Sequence, residues 1–506
     1  MATRTRKVKH KDPAGQQERR KAIQKVPTGI VGLDEVLCGG LPAGRMTLFS
    51  GGAGSGKSLM GLQSLLHSAG AGEPGILVLF EERAASVRQN ARTLGWDLAT
   101  LERKNLLFLM DARVSPELVI SGDFSVKGLL AILDHQAKAM GAQRIVFDAV
   151  DTLLHLYDSP SRERHELYAL HEWLLNRGLT AIMTVKTVQK EDSPSRYAFL
   201  DFMADCVIHV DQRVTGQVAT SRLRVVKYRG SGYGRNEYPF IIGENGINVI
   251  PITSNVLQHR SPGPQMSSGQ PQLDGVLGGG YKRGTSVLLA GSPGAGKTTL
   301  ACVLAQAACL RGERVLYLNF EESPESLVSN MLSPGIVLAP LIKTGRLVIQ
   351  SYLPEAMGAE EHLFHALNTL DEVHPQHMVV DAISACKRMG SEQAAFEYLM
   401  RVLNACKERG ITCFYLNQAI GPDVVAEISG IGISSIIDTV IVLSQLSIGG
   451  SMKRQLIVMK SRGSKHSDRI HEYRITDRGI DLVKALLARY YEQTSFLSGY
   501  RGNGDQ

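Results

Sequence analysis

The chain has 506 residues, which at roughly 100–200 residues per domain leaves room for two to four globular units and excludes a disulfide-stapled miniature. Hydrophobic residues at 43% and charged residues at 21% describe a soluble folded protein, and no apolar run approaches the roughly 18 residues that span a bilayer. The net charge of +7 resides in residues 1–25, where nine Lys and Arg meet Asp12 and Glu18; the remainder carries 47 of each sign, so a body-wide basic field for nucleic acid is excluded.

In chain order, the basic stretch 1–25 reads as a solvated, disordered arm, and MATRTRKVKH has no apolar segment behind it. A cytoplasmic protein without a secretory signal, and with no membrane or nucleic-acid partner, is expected. From residue 26 onward, short β-branched runs alternate with longer helical patterns, at 46–49, 76–80, 144–147 and 180–183. A linker follows at 251–266, marked by Pro251, Pro262 and Pro264 with little apolar periodicity. The pattern then resumes at 286–289, 314–318, 378–380 and 412–416 and continues to 485, before a tail over 486–506. Continuous apolar strands separated by helices predict a doubly wound, mostly parallel sheet, twice over: one domain over 26–250 and another over 267–485.

The two halves are copies. Leu33-Asp34 returns as Leu273-Asp274, Gly39-Gly40 as Gly279-Gly280 and Glu81-Glu82 as Glu321-Glu322, all shifted by 240. Asp148 returns as Asp381, and Lys227-x-Arg229 as Lys460-x-Arg462, at 233. Seven cysteines form no C-x-x-C pair, which predicts buried thiols in a reducing compartment rather than zinc or disulfides.

Each half carries G-x-x-x-x-G-K-[ST] directly after a predicted strand, as Gly51-Gly52-Ala53-Gly54-Ser55-Gly56-Lys57-Ser58 and Gly291-Ser292-Pro293-Gly294-Ala295-Gly296-Lys297-Thr298. The glycines let successive N–H groups face a phosphate at a helix N-terminus, the lysine adds a point charge, and Ser58 and Thr298 offer a hydroxyl to Mg²⁺. ATP with Mg²⁺ is therefore the expected cofactor pair. Asp148 and Asp381 close adjacent apolar strands, where a carboxylate orients the metal. Glu81-Glu82 and Glu321-Glu322 follow the second strand of each half, at the edge where a carboxylate can activate a nucleophile. A bland reading stands beside that one: Ser323-Pro324-Glu325 is an N-cap with proline in the first turn, where acidic residues favour the helix dipole. Lys227, Arg229, Lys460 and Arg462 are either surface charges or cations for a triphosphate, in their own half or a neighbour's.

The tandem P-loops, the double glutamates and the K-x-R-G motifs, with Glu237-Tyr238-Pro239-Phe240 and Lys460-Ser461-Arg462-Gly463-Ser464, resemble the KaiC family over residues 26–485. These are RecA-like ATPases and autokinases of the cyanobacterial circadian clock. The resemblance implies two RecA-like α/β domains and a homohexamer with nucleotide at subunit interfaces. It further implies slow hydrolysis in the first domain and self-phosphorylation in the second. Carried over by position, the phosphoacceptors fall on Ser434 and Ser435, two serines where the family has Ser then Thr. Their counterparts in the first half, Asp201 and Phe202, are no acceptors. The resemblance puts water activation on Glu81 and Glu82, the kinase base on Glu321 beside Glu322, and an interface arginine on Arg388. The C-terminal tail departs from the family's, which argues against a KaiA-like partner and leaves a KaiB-like one. Two rivals remain open at this stage: a DNA-handling RecA-type motor, and a nucleotide-gated scaffold.

Overall fold

The computed structural model describes residues 23–113, 126–157, 159–187, 198–215, 218–251, 259–418, 436–448 and 451–483. The chain divides into two compact units, each built around one nine-stranded sheet.

In the first sheet the strands are β1 (Met46–Gly51), β2 (Gly75–Leu79), β3 (Leu107–Asp111), β4 (Arg144–Asp148), β5 (Thr180–Lys186), β6 (Cys206–Thr215), β7 (Val218–Tyr228), β8 (Glu237–Gly243) and β9 (Gly246–Val249). Their order is β9-β8-β7-β6-β1-β5-β4-β2-β3. The helices α1 (Lys57–Gly70), α2 (Ala84–Thr93), α3 (Val126–Met140), α4 (Pro160–Arg177) and α5 (Ala198–Met203) connect the strands.

The second sheet repeats this plan with β10 (Ser286–Gly291), β11 (Val315–Asn319), β12 (Leu347–Ser351), β13 (His377–Asp381), β14 (Thr412–Gln418), β15 (Thr439–Ile448), β16 (Ser451–Ser461), β17 (His471–Thr476) and β18 (Gly479–Leu482). Their order, β12-β11-β13-β14-β10-β15-β16-β17-β18, matches the first strand for strand. The helices include α6 (Lys297–Leu310), α7 (Pro324–Asn330), α8 (Ala359–Val373) and α9 (Glu392–Arg409).

The central strands β1, β2 and β4, and their counterparts β10, β11 and β13, are buried at every residue. Such strands tolerate no polar alternation, because helices cover both faces of a parallel sheet. The pairings β10–β14, β10–β15, β13–β14, β11–β13 and β11–β12 are all parallel, and β15 through β18 add an antiparallel flank. The doubly wound, mostly parallel reading of the sequence therefore describes each half. The edge strands β3 and β12 escaped that reading, because their burial is partial, and so did the antiparallel direction of the strands that lead to Lys227 and Lys460.

Register refines the repeat. Gly51 lies opposite Lys186 and Gly291 opposite Gln418, so β5 and β14 are related by 418 − 186 = 232, one less than the 233 that relates Asp148 to Asp381. Thr184 therefore corresponds to Leu416, and Lys186 to Gln418. Of the seven cysteines, six are buried free thiols and Cys38 is exposed. No described helix is long and apolar enough to cross a membrane.

His377, at the start of β13, is fully enclosed, stacked on Phe414 and edge-on to Tyr281, whose hydroxyl lies 3.0 Å from Nε2. Burial pushes its pKa down to about 4 despite Glu313 at 3.5 Å. The unfolded chain binds this proton below about pH 6.5 and the folded chain only below about 4, so stability is lost as pH falls across that interval. His377→Phe should flatten the acid limb of the second unit's unfolding by up to about 3 kcal/mol, read by denaturant titration between pH 7 and 4.

Candidate active site

Both P-loops turn from strand to helix through a glycine with left-handed φ, Gly56 and Gly296 at +90°, immediately before the lysine that opens α1 or α6. A side chain there would strain the backbone, so glycine permits the tight curl that points helix N-terminal N–H groups at one centre. Lys57 is buried and donates to the Gly52 carbonyl at 2.5 Å and to Ser55 Oγ at 3.2 Å. Lys297 donates to the Gly291 and Ser292 carbonyls, both at 3.0 Å. Each lysine is thus folded over its own loop, and desolvation lowers the pKa of both. The remaining loop positions named from the sequence lie within these two turns.

An open cleft of 360 Å³ covers the first loop, lined by residues 53–59 together with Glu81, Glu82, Asp151, Thr184 and Lys186. The glutamates of the first half are therefore brought to its own loop. Glu81 is held by Lys186 Nζ at 2.5 and 2.6 Å to its two carboxylate oxygens. No sequence motif singled out Lys186; only its register opposite Gly51 places it there. In the second half Glu321 acts electrostatically on both Lys297 and Asp381, so it too faces the loop. Glu322 is tied instead to Ser326 Oγ at 3.0 Å and Asn330 Nδ2 at 2.9 Å on α7. The N-cap reading also holds: Ser323 Oγ accepts from Ser326 N at 3.2 Å, with Pro324 opening the helix.

Asp148 and Asp381 end β4 and β13, at 6% and 3% exposure. Burial raises both pKa values, that of Asp381 to about 6, against the lowering effect of its hydrogen bonds. Ser58 hydrogen-bonds Asp148, and Thr298 Oγ1 donates to Asp381 Oδ2 at 2.9 Å. A P-loop hydroxyl beside a buried carboxylate is a hard oxygen donor pair, and such a pair suits Mg²⁺. No cluster of three or more His, Cys, Asp or Glu able to hold a metal occurs among the described residues, so phosphate oxygens would complete its coordination.

The K-x-R pairs lie elsewhere. Lys227 donates to the Asp201 and Phe202 carbonyls at 2.6 and 3.2 Å, and Arg229 to the Phe202 carbonyl at 2.6 Å, at the end of α5. Arg229 N bonds the Asp205 carbonyl and Asp205 N bonds the Met46 carbonyl, which puts this pair at the start of β1. Arg462 is level with Ser286 through Asp438 in the same way, and Lys460 is level with Leu288 through Val440. Each P-loop leaves the opposite end of its strand, roughly 17 Å from the level of Arg229 and Arg462 and about 10 Å from that of Lys460, at about 3.3 Å per residue. Arg388 sits on the helical turn Ile383–Met389 and points to Glu355 at 3.7 Å. Ser434 and Ser435 fall outside the described residues.

A family model for the KaiC ATPase matches the chain twice, over residues 26–254 and 266–486. The circadian clock protein KaiC2 of Synechocystis sp. is 39% identical over 471 residues, covering 92% of this chain and 82% of that protein. The circadian clock oscillator proteins KaiC of Parathermosynechococcus lividus and Synechococcus elongatus are each 34% identical, covering 96% and 91% of this chain and 90% and 89% of their own.

With its pKa raised to about 6, Asp381 takes a proton below that pH, and so protonated it would no longer offer Mg²⁺ an anionic oxygen. Mg-ATP affinity of the second site should therefore fall as pH drops through about 6, while ATP binding in EDTA changes far less, as calorimetry at pH 7.5 and 5.5 will show.

Proposed function

This chain belongs to the KaiC family of ATPases, and on that premise we propose that its first half hydrolyses ATP and its second half phosphorylates its own chain on Ser434 and Ser435. What carries the reading is that each half assembles part of a site and leaves the rest at a distance. In the first half the P-loop lysine, its neighbouring hydroxyl and Glu81 line one cleft, and in the second Thr298 is bonded to Asp381 beside Lys297, while Lys227 and Arg229 are held at the end of α5 and Arg462 is level with the start of β10. Cations placed there serve the nucleotide of a neighbouring copy, which supports a homohexamer with ATP at its interfaces. Arg388 is a further interface cation.

Ser58 with Asp148, and Thr298 with Asp381, would hold Mg²⁺, which when bound neutralises charge on the β- and γ-phosphates. Lys57 and Lys297 leave their loop carbonyls for the incoming phosphate oxygens, and the loop N–H groups fix the chain of phosphates. In the first half Glu81, with Glu82 beside it, orients water. In the second, Glu321 takes the proton of the attacking serine Oγ as the new P–O bond forms and the bond to the β-phosphate oxygen breaks, releasing ADP. Glu322, anchored on α7, positions its neighbour rather than reaching the substrate. A KaiB-like partner fits the family context. The neutral body disfavours a DNA motor.

Incubation with Mg-ATP followed by mass spectrometry should place phosphate on Ser434, Ser435 or both, and Lys297→Ala should abolish it while Lys57→Ala does not. Because the cations act on a neighbour's nucleotide, Lys297→Ala and Arg462→Ala chains should each be inactive alone but regain phosphorylation when mixed before assembly. Failure of the mixture to regain any signal would place Arg462 in its own chain's site.

A further inference from the structure

The two halves present the same buried aspartate but hold it differently. In the first, Thr184 on β5 donates its hydroxyl to Asp148 Oδ1 at 2.6 Å. The Ala149 amide donates to Thr184 Oγ1 at 2.8 Å, so that oxygen is engaged as an acceptor and its hydrogen is directed to the carboxylate. In the second, the residue in register with Thr184 is Leu416, which has no hydroxyl. The donor comes instead from the other side: Tyr317 on β11 donates to Asp381 Oδ2 at 2.7 Å, its oxygen also in contact with the Cys302 thiol. Tyr317 corresponds to Leu77, which lies opposite Val146 as Tyr317 lies opposite Val379.

The exchange is reciprocal. Where the first half has Thr and Leu on the strands flanking its aspartate, the second has Leu and Tyr, and one hydroxyl reaches the carboxylate in each. All four side chains are at most 3% exposed, so none was kept for solvent contact. Packing alone does not demand the tyrosine. With Leu77 in its place the first half leaves a cavity of 160 Å³ between α1, β2 and α2, bordered by Ser58, Glu82 and Asp148. The second half puts the ring and Met331, the counterpart of Ala91, at the corresponding positions.

We propose that Thr184 and Tyr317 are equivalent positioning residues, each presenting its aspartate to the magnesium ion of the bound nucleotide. A carboxylate with one oxygen anchored by a flanking strand keeps a fixed tilt towards the P-loop hydroxyl. In the second half Thr298 and Tyr317 converge on the same oxygen, Oδ2, so ligand and hydroxyl are set against each other before nucleotide arrives. Hydrogen-bonding partners behind metal ligands commonly govern affinity by 10- to 100-fold when removed. The inference rests on the reading that these aspartates bind metal, and it adds residues that no motif marks.

The test uses the full chain with a non-hydrolysable ATP analogue and Mn²⁺ as the probe, free Mn²⁺ being counted by paramagnetic resonance. Tyr317→Phe, which keeps the ring, should weaken one of the two Mn²⁺ sites per chain by about 10-fold or more, and Thr184→Val should weaken the other. Adding Leu416→Thr to the Tyr317→Phe chain should recover much of the lost affinity by returning a hydroxyl from the opposite strand, which a packing role would not do. Unchanged Mn²⁺ midpoints in Tyr317→Phe and Thr184→Val, with Asp381→Asn still losing a site, would overturn the positioning role alone. Midpoints unchanged in Asp381→Asn as well would overturn the metal reading and this inference with it.

Discussion

Everything at the nucleotide sites depends on one electrostatic constraint: a carboxylate closing a fully buried strand, Asp148 or Asp381, in a place where ionisation is unfavourable. Taking such an anion out of water costs several kcal/mol unless donors or a cation compensate it. The fold supplies donors from the P-loop helix and from one flanking strand, and these lower the pKa without cancelling the effect of burial. The residual cost would be relieved by a divalent cation arriving with the nucleotide's phosphates, as proposed above. The parallel sheet is what makes this possible, since adjacent strands about 4.8 Å apart deliver side chains from distant parts of the chain to the same carboxylate.

The internal repeat turns the molecule into its own control. Backbone features coincide between the halves: the +90° glycine before each P-loop lysine, the strand order, and the hydrogen bond from a glycine amide ahead of the first strand to a threonine hydroxyl, Gly44 to Thr180 and Gly284 to Thr412. Side chains around the phosphate position differ. Glu81 is clamped by Lys186, whereas the register-equivalent of that lysine is Gln418. A glutamate clamped in place by a half-exposed lysine and one facing Lys297 and Asp381 without such a clamp are suited to different nucleophiles. That contrast accords with hydrolysis in one half and transfer to the chain in the other.

Other charge networks diverged without altering the fold. Arg144 of β4 pairs with Glu73 at 3.3 Å, while the corresponding β13 residue is neutral His377, and Glu313 is met instead by Arg283 and Arg311. The cation moved from a sheet strand to the neighbouring loops, and the space it vacated was taken by an imidazole stacked on Phe414. Both arrangements leave the buried end of the sheet compensated, which is why one backbone accepts either.

The sequence by itself determined the duplication, the alternating strands and helices, both P-loops, the aspartates and the glutamate pairs, because each is written in contiguous residues whose spacing has a direct physical meaning. It left open which site the K-x-R pairs serve, and it was silent on Thr184, Lys186 and Tyr317. Those residues lie in apolar strand runs with no local signal, and they acquire their role only through strand order and register. Tertiary structure alone decided that Thr184 bonds Asp148 where Leu416, level with Asp381, offers no hydroxyl, and that Tyr317 supplies one from the other side, because one residue of shift between β5 and β14 is invisible until the strands are paired.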